Sequence, residues 1–204
     1  MKLYWSSRSP FVRKVMVCAH ETGLAPRLEL ERTLVVMSQP NLDLMQKNPL
    51  GRIPTLVTDD GKILHESLLI CEYLDSLHAG TRLFPPAGEA RWQALLWHAL
   101  GNGMLDTLVL WRNETLKPEA QRGADLLAAF ELKTRSAVES LEPQAGPLGR
   151  TPFGIGHVAL GVALGYIDFR FSGLDWRAGH PALSAWYATF AQRPSAQATM
   201  PVDA

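Results

Sequence analysis

Three short runs in the chain hold residue types that bind or activate other groups. Ser9-Pro10-Phe11 stands where an alternating segment gives way to a helical one. Asn48-Pro49-Leu50-Gly51-Arg52-Ile53-Pro54 precedes another short apolar run, and His65-Glu66-Ser67 closes a third. A hydroxyl at a helix start accepts a backbone N–H, and the unpaired N–H groups there, with the helix dipole, favour a carboxylate or other anion. An acid beside such a position is the natural partner of an ammonium. Each run also has a plain structural reading: Ser9 as an N-cap, Pro54 as a strand-edge proline, Glu66-Ser67 as a cap with a first-turn acid.

Other chemistries lack their residues. No GxxxxGK[ST], GxSxG or HExxH occurs, and no GxGxxG follows a strand, so phosphate loops, hydrolase elbows and zincin sites have no support. The six His are scattered at 20, 65, 78, 98, 157 and 180 without metal-ligand spacing, and no metal is expected. Cys18 and Cys71 sit in apolar helix-like runs with no CxxC, which reads as two reduced core thiols in a cytoplasmic protein.

The elements that would position the three runs follow from periodicity. Lys2 to Ser6 alternates as a short strand, and Ser9 with Pro10 opens a helix whose apolar stripe runs through Phe11, Val12, Val15, Met16, Cys18 and Ala19 to a stop at Gly23. Leu28 and Leu30 alternate with charged residues as a second strand, and Ser38 to Lys47 holds a short helix. Two strands, Thr55 to Thr58 and Lys62 to His65, flank the turn Asp59-Asp60-Gly61. Ser67 then caps a helix with Leu68, Leu69, Ile70, Tyr73, Leu74 and Leu77, giving the order βαβαββα. Residues 79–88, rich in Gly and Pro, read as a linker between a domain at 1–78 and one at 89–204. Strand signals vanish after it. A long helix from Trp92 through Met104, one opened by Pro118 and running to about Leu141, a buried one over Ile155 to Phe169 and a last one after His180 make the second domain all-α. Gly101 and Gly103 mark a bend or a close packing point, and Gly161 with Gly165 a close neighbour.

Composition narrows the partners. The 20 Lys and Arg balance the 20 Asp and Glu, on both sides of residue 78 alike, so no basic field exists for nucleic acid or an anionic membrane. Arg8 and Pro10 interrupt any signal-like apolar run at the start, and the uncharged stretch from Thr151 to Ile167 contains Pro152, His157 and four Gly, which fits a buried helix and no membrane span.

The three runs, in the order βαβαββα and followed by a Pro-rich linker and an all-helical remainder, resemble the cytoplasmic glutathione transferases, from MKLYW to WYATFAQRPSA; NPLGRIPTLVTDDGKILHESLLICEYLD is the specific part. The resemblance implies a thioredoxin-like N-terminal domain, a helical domain with a pocket for a second substrate, glutathione as co-substrate, a hydrophobic electrophile, a detoxifying role, a homodimer and no metal. It implies a cis Pro54 that turns the Ile53 backbone toward the cysteinyl unit of glutathione. Glu66 would face the γ-glutamyl ammonium and Ser67 its carboxylate. Ser9 matches the Ser of the Ser-Pro-Phe motif in tau-type enzymes and the Cys position of omega-type ones, so its hydroxyl would stabilise the glutathione thiolate. Ser6 and Ser7 are near enough in sequence to compete for that role.

Two departures stand out. Leu34, Val35, Val36 and Met37 occupy the place where many members carry a Lys or His for the glycyl carboxylate, leaving Arg52 as the nearby cation. The family's capping box before the central helix reads here as Gly154 and His157, which removes a side-chain oxygen from the N-cap. Phe11, Met104, Leu108 and Trp111 are candidates for the second-substrate pocket, and interhelical core is the other reading of that spacing. Alternatives to conjugation are a non-catalytic member of the fold that binds proteins or apolar ligands, and a glutathione-dependent reductase or peroxidase.

Overall fold

The computed structural model describes residues 1–203. The chain gathers into two compact units, one of Met1–Pro86 with the residues from Pro194 onward, the other of Ala87–Arg193. The first holds β1 (Lys2–Trp5), α1 (Pro10–Glu21), β2 (Glu29–Arg32), α2 (Leu42–Met45), β3 (Thr55–Val57), β4 (Ile63–His65), α3 (Ser67–Ser76) and α9 (Pro194–Ala198). The second holds α4 (Gly88–Thr115), α5 (Ala124–Leu141), α6 (Ala145–Arg150), α7 (Ile155–Arg170) and α8 (Pro181–Ala191).

The sheet order is β2-β1-β3-β4, with β1 parallel to β2 and the other pairs antiparallel, which is the thioredoxin-like arrangement. Leu3 and Leu56 are cross-strand partners with no exposed surface, and α1 and α3 pack together through Val15, Cys18, Ile70, Cys71 and Leu74, all fully buried. Gly61, at φ +84°, supplies the positive dihedral of the β3–β4 turn. The edge strand β2 departs from a half-buried pattern: all four of its residues are exposed, and Glu29 and Glu31 instead take the Lys2 ammonium at 3.0 and 3.6 Å.

The stretch read as a linker is tied down in its middle. The buried Asp75 carboxylate accepts the Leu83 N–H at 2.8 Å and the Phe84 N–H at 3.2 Å, and both of those side chains are buried. Residues from Pro194 onward, expected with the helical domain, belong instead to the first unit, where Arg13 Nη2 donates to the Ala196 carbonyl at 3.3 Å. The helix expected to open at Pro118 begins at Ala124, because Pro118 is extended and a 3-10 turn intervenes; Glu114 takes the Gly123 N–H at 2.8 Å to close the connection.

In the helical unit α4 runs unbroken through Gly101 and Gly103. A Cβ on Gly101 would stand 2.7 Å from the Ala159 carbonyl carbon of α7, and one on Gly161 would stand 2.5 Å from the Phe190 ring. Helix α7 is accordingly buried from Ile155 to Ile167. Its start keeps the reciprocal half of a capping box. His157 Nδ1 accepts the Gly154 N–H at 3.1 Å, so Nε2 carries the hydrogen and donates to the Leu148 carbonyl at 3.0 Å. Burial, together with the Arg193 charge, holds this imidazole below the ordinary His range, which keeps it in the neutral form both bonds require.

Two outcomes follow from this packing. Gly101→Ala should lower the urea unfolding free energy by about 2 kcal/mol, since backbone is what the new methyl meets, whereas Gly103→Ala on the open side of the same helix should raise it by about 0.5–1 kcal/mol. The unfolded chain protonates His157 before the folded one does. Its contribution to stability is therefore fully present above about pH 6.5 and is lost as the pH falls through the lower folded value. Urea midpoints across that range should fall less steeply in His157→Asn than in the unsubstituted chain.

Candidate active site

Register places the three sequence runs together. Tyr4 of β1 faces Thr55 of β3, and Thr55 faces His65 of β4, so the exit of β1, the entry to β3 and the exit of β4 lie at one end of the sheet. Ser6–Ser9, Ile53-Pro54 and Glu66-Ser67 are the residues that emerge there.

Ser9 caps α1 with Pro10 at the first helical position. Its Oγ accepts the Val12 N–H at 3.3 Å and its carbonyl accepts the Arg13 N–H at 3.0 Å. The hydroxyl hydrogen is left to donate, beside the positive end of a 12-residue helix. Ser7 differs: its Oγ donates to the Val202 carbonyl at 2.9 Å, so its hydrogen is engaged elsewhere. Ser6 Oγ accepts the Arg8 N–H at 3.4 Å, a long bond in the same turn.

The Ile53–Pro54 peptide is cis, and Pro54 is buried while Ile53 is half-buried. Among the described residues, neither the N–H nor the C=O of Ile53 is taken by a turn or loop hydrogen bond. The loop that presents it is braced by Asn48, a residue of the motif that carried no role in the sequence reading. The buried Asn48 amide donates to the Arg52 carbonyl and to Thr55 Oγ1, each at 3.0 Å, and its Oδ1 accepts the Leu50 N–H at 3.1 Å. Thr55 Oγ1 in turn donates to the Arg52 carbonyl at 2.8 Å. An Asn just before Pro-Leu-Gly is the signal for this local network, because its amide reaches backbone two to four residues on. The Arg52 side chain is exposed.

Glu66, and not Ser67, is the N-cap of α3, and Ser67 is the first helical residue. Glu66 holds φ +78°, the sole positive φ outside glycine among the described residues, with its carboxylate exposed. Ser67 is buried and its Oγ donates to Glu66 Oε1 at 3.1 Å. An acid held in this way at a helix N-terminus presents a carboxylate and unpaired backbone N–H groups side by side, a pairing that suits an α-amino acid headgroup.

The remaining candidates separate. Leu108 has no exposed surface, and Trp111, 9% exposed, stacks on Phe171 with centroids 4.5 Å apart, so both are part of the helical core. Met104 is buried too but lines a cavity of about 180 Å³ with Gly103, Thr107, Lys133 and Thr134. Phe11 is half-buried in the first turn of α1. Cys18, fully buried, is pushed well above the usual thiol range by the adjacent Cys71 thiol and by burial, which makes it a poor nucleophile. Among the described residues no group of three or more His, Cys, Asp and Glu is arranged to hold a metal, and no helix is long and apolar enough to cross a membrane.

Comparison with known proteins adds independent findings. The family model of the glutathione S-transferase N-terminal domain matches residues 8–77, and that of the glutathione S-transferase C-terminal domain matches residues 123–189. A glutathione transferase family member from Pseudomonas fluorescens Pf-5, solved with bound glutathione, is 41% identical, covers 98% of each chain and superposes with a TM-score of 0.95. A glutathione S-transferase from Methylobacillus flagellatus KT, with glutathione bound, is 31% identical over 98% of this chain and 99% of that one, with a TM-score of 0.87. The uncharacterized GST-like protein YibF of Escherichia coli K12 is 28% identical over the whole of both sequences.

The dihedral strain at Glu66 can be measured directly. Glu66→Gly should raise the unfolding free energy by about 1 kcal/mol, because glycine adopts this φ without a Cβ clash. A urea titration that finds the variant less stable would show that the Ser67 bond outweighs the backbone strain.

Proposed function

Because the chain belongs to the glutathione S-transferase family, we propose that it binds glutathione at the end of the sheet described above and transfers the glutathione sulfur to a hydrophobic electrophile. The observation that carries this reading is the row Tyr4–Thr55–His65, which gathers a helix-capping hydroxyl, a half-buried backbone with no turn or loop hydrogen bond of its own and an acid-Ser cap at one place. Two relatives of 41% and 31% identity were solved with glutathione bound, which supports the same ligand here.

In this reading the ligand is held mostly by backbone. The Ile53 N–H and C=O pair with the cysteinyl unit as a short added strand. Glu66 takes the γ-glutamyl ammonium. The Ser67 N–H and hydroxyl take the γ-glutamyl carboxylate, the hydroxyl turning from Glu66 to do so. Arg52, exposed beside Ile53, meets the glycyl carboxylate in place of the basic residue absent at Leu34–Met37.

Ser9 is the catalytic residue of the proposal, in a Ser-Pro-Phe setting of the tau/omega kind. Its oxygen is polarised by the Val12 N–H and its hydrogen donates to sulfur, so thiolate is favoured over thiol. The thiol proton leaves to solvent, the sulfur lone pair forms the new C–S bond, and the electrophile either releases its leaving group or takes up a proton. Phe11, half-buried in the first turn of α1, supplies apolar surface next to the sulfur for the electrophile. A detoxifying role, a cytoplasmic site of action and a homodimeric state complete the reading.

Binding without turnover is the second reading, and the exposed apolar run Leu34 to Met37 is the observation that favours it. The two part in a pH titration of the ultraviolet thiolate absorbance of bound glutathione, run on the unsubstituted protein and on Ser9→Ala. Conjugation predicts thiolate near neutral pH, with a midpoint raised by about one unit and kcat lowered about tenfold or more in the variant, at nearly unchanged glutathione affinity. An identical midpoint in Ser9→Ala would remove Ser9 from catalysis, and bound glutathione that stays a thiol in both proteins would favour the binding role.

A further inference from the structure

We propose that the segment Pro194–Val202 is a strap that positions the Ser9 turn, acting through Ser7; this rests on Ser9 being the thiolate-stabilising residue. The segment belongs to the first unit and follows α1 back from its end to its start. At its root the Ser195 hydroxyl donates to the Glu21 carboxylate in the last turn of α1. The Arg13 guanidinium then donates to the Ala196 carbonyl at 3.3 Å, and Ser195 and Ala196 are 4% and 1% exposed. Thr199 Oγ1 donates to the Ser195 carbonyl at 2.8 Å, one helical turn back at the end of α9. At the tip, the Val202 carbonyl accepts the Ser7 hydroxyl at 2.9 Å.

The turn from β1 to α1 depends on this tip because its own bonds are long. Within it, the Ser9 N–H reaches the Ser6 carbonyl at 3.3 Å, and the Arg8 N–H reaches Ser6 Oγ at 3.4 Å. Ser9 Oγ meets the Val12 N–H at 3.3 Å. The Ser7–Val202 bond is shorter than all three and comes from outside the turn. Arg13 joins the same pieces from the helix side, since its amide donates to the Ser9 carbonyl at 3.0 Å while its side chain holds Ala196. Ser9 is therefore held between α1 and the strap. A hydrogen bond from its hydroxyl to sulfur weakens steeply with misalignment, so a loosened turn would weaken thiolate stabilisation while leaving the glutathione contacts at Ile53 and Glu66 intact. The three serines then divide the work: Ser6 and Ser7 shape the turn, and Ser9 faces the sulfur.

The test compares the unsubstituted protein, Ser7→Ala, Ser7→Thr and a chain lacking residues 200–204, using glutathione itself as the probe. Two quantities are read: the pH midpoint of the bound thiolate and the amide hydrogen exchange of Ser6 to Ser9. Losing one hydrogen bond should raise the midpoint by about half a unit in Ser7→Ala and in the shortened chain, and speed exchange about threefold to tenfold, with glutathione affinity nearly constant. Ser7→Thr, which keeps the donor, should restore both. An unmoved midpoint in Ser7→Ala and in the shortened chain, whether or not exchange accelerates, overturns the positioning role while leaving Ser9 in place. Absence of a bound thiolate in the unsubstituted protein overturns the Ser9 assignment itself, and the two failures are thereby distinguished.

Discussion

The pairing of Leu3 with Leu56 across β1 and β3 is the constraint on which the site depends. Both side chains are fully buried, so a slip of one residue would turn an apolar row to solvent and a polar row into the core. That locks Tyr4 opposite Thr55, and the short β3–β4 turn at Gly61 locks Thr55 opposite His65. Ser9 lies 44 residues from Ile53, and Ile53 lies 13 from Glu66, yet the register of three short strands places the turns that carry them at one end of the sheet. The chemistry proposed here uses that placement more than any single side chain.

Much of the proposed site is backbone, and the side chains around it hold that backbone in place. Asn48 and Thr55 fix the Arg52 carbonyl just ahead of Ile53. Ser9 satisfies an N–H of α1 and Pro10 removes one that would have no partner. Glu66 holds a positive φ at the N-cap of α3, with its carboxylate accepting the hydroxyl of Ser67, the first residue of that helix. Each is a local device, built from bonds between residues at most seven apart in sequence.

The helical unit is organised by the absence of side chains. Gly101 and Gly161 let α7 lie against α4 and α8 at distances no Cβ would permit, and this close approach buries thirteen consecutive residues of α7. A helix so deeply buried begins where backbone N–H groups have no water to meet. His157 answers one of them at Gly154 and at the same time donates to Leu148, doing from the N3 position what an acid does in the more usual capping box.

Several features were legible in the residues alone. The period changes gave βαβαββα, Ser9 with Pro10 marked the start of α1, and Asp59-Asp60-Gly61 marked the β3–β4 turn, because each follows from local dihedral and hydrogen-bond preferences. Residue types at three short runs pointed to the candidate site for the same local reason. Other features needed the folded chain. That Pro118 opens no long helix depends on Glu114 reaching Gly123, and that residues 79–88 are more than a linker depends on Asp75 accepting the Leu83 and Phe84 amides. Met104, Leu108 and Trp111 share a helical spacing that suits a pocket or a core equally, and only the packing of neighbouring helices buried all three and left Met104 beside a cavity. The place of Val202 at Ser7, 195 residues away, has no signature in sequence at all. Local order is written in neighbouring residues, whereas contacts between distant segments arise when packing and strand register bring their surfaces together, and those were settled by the tertiary structure.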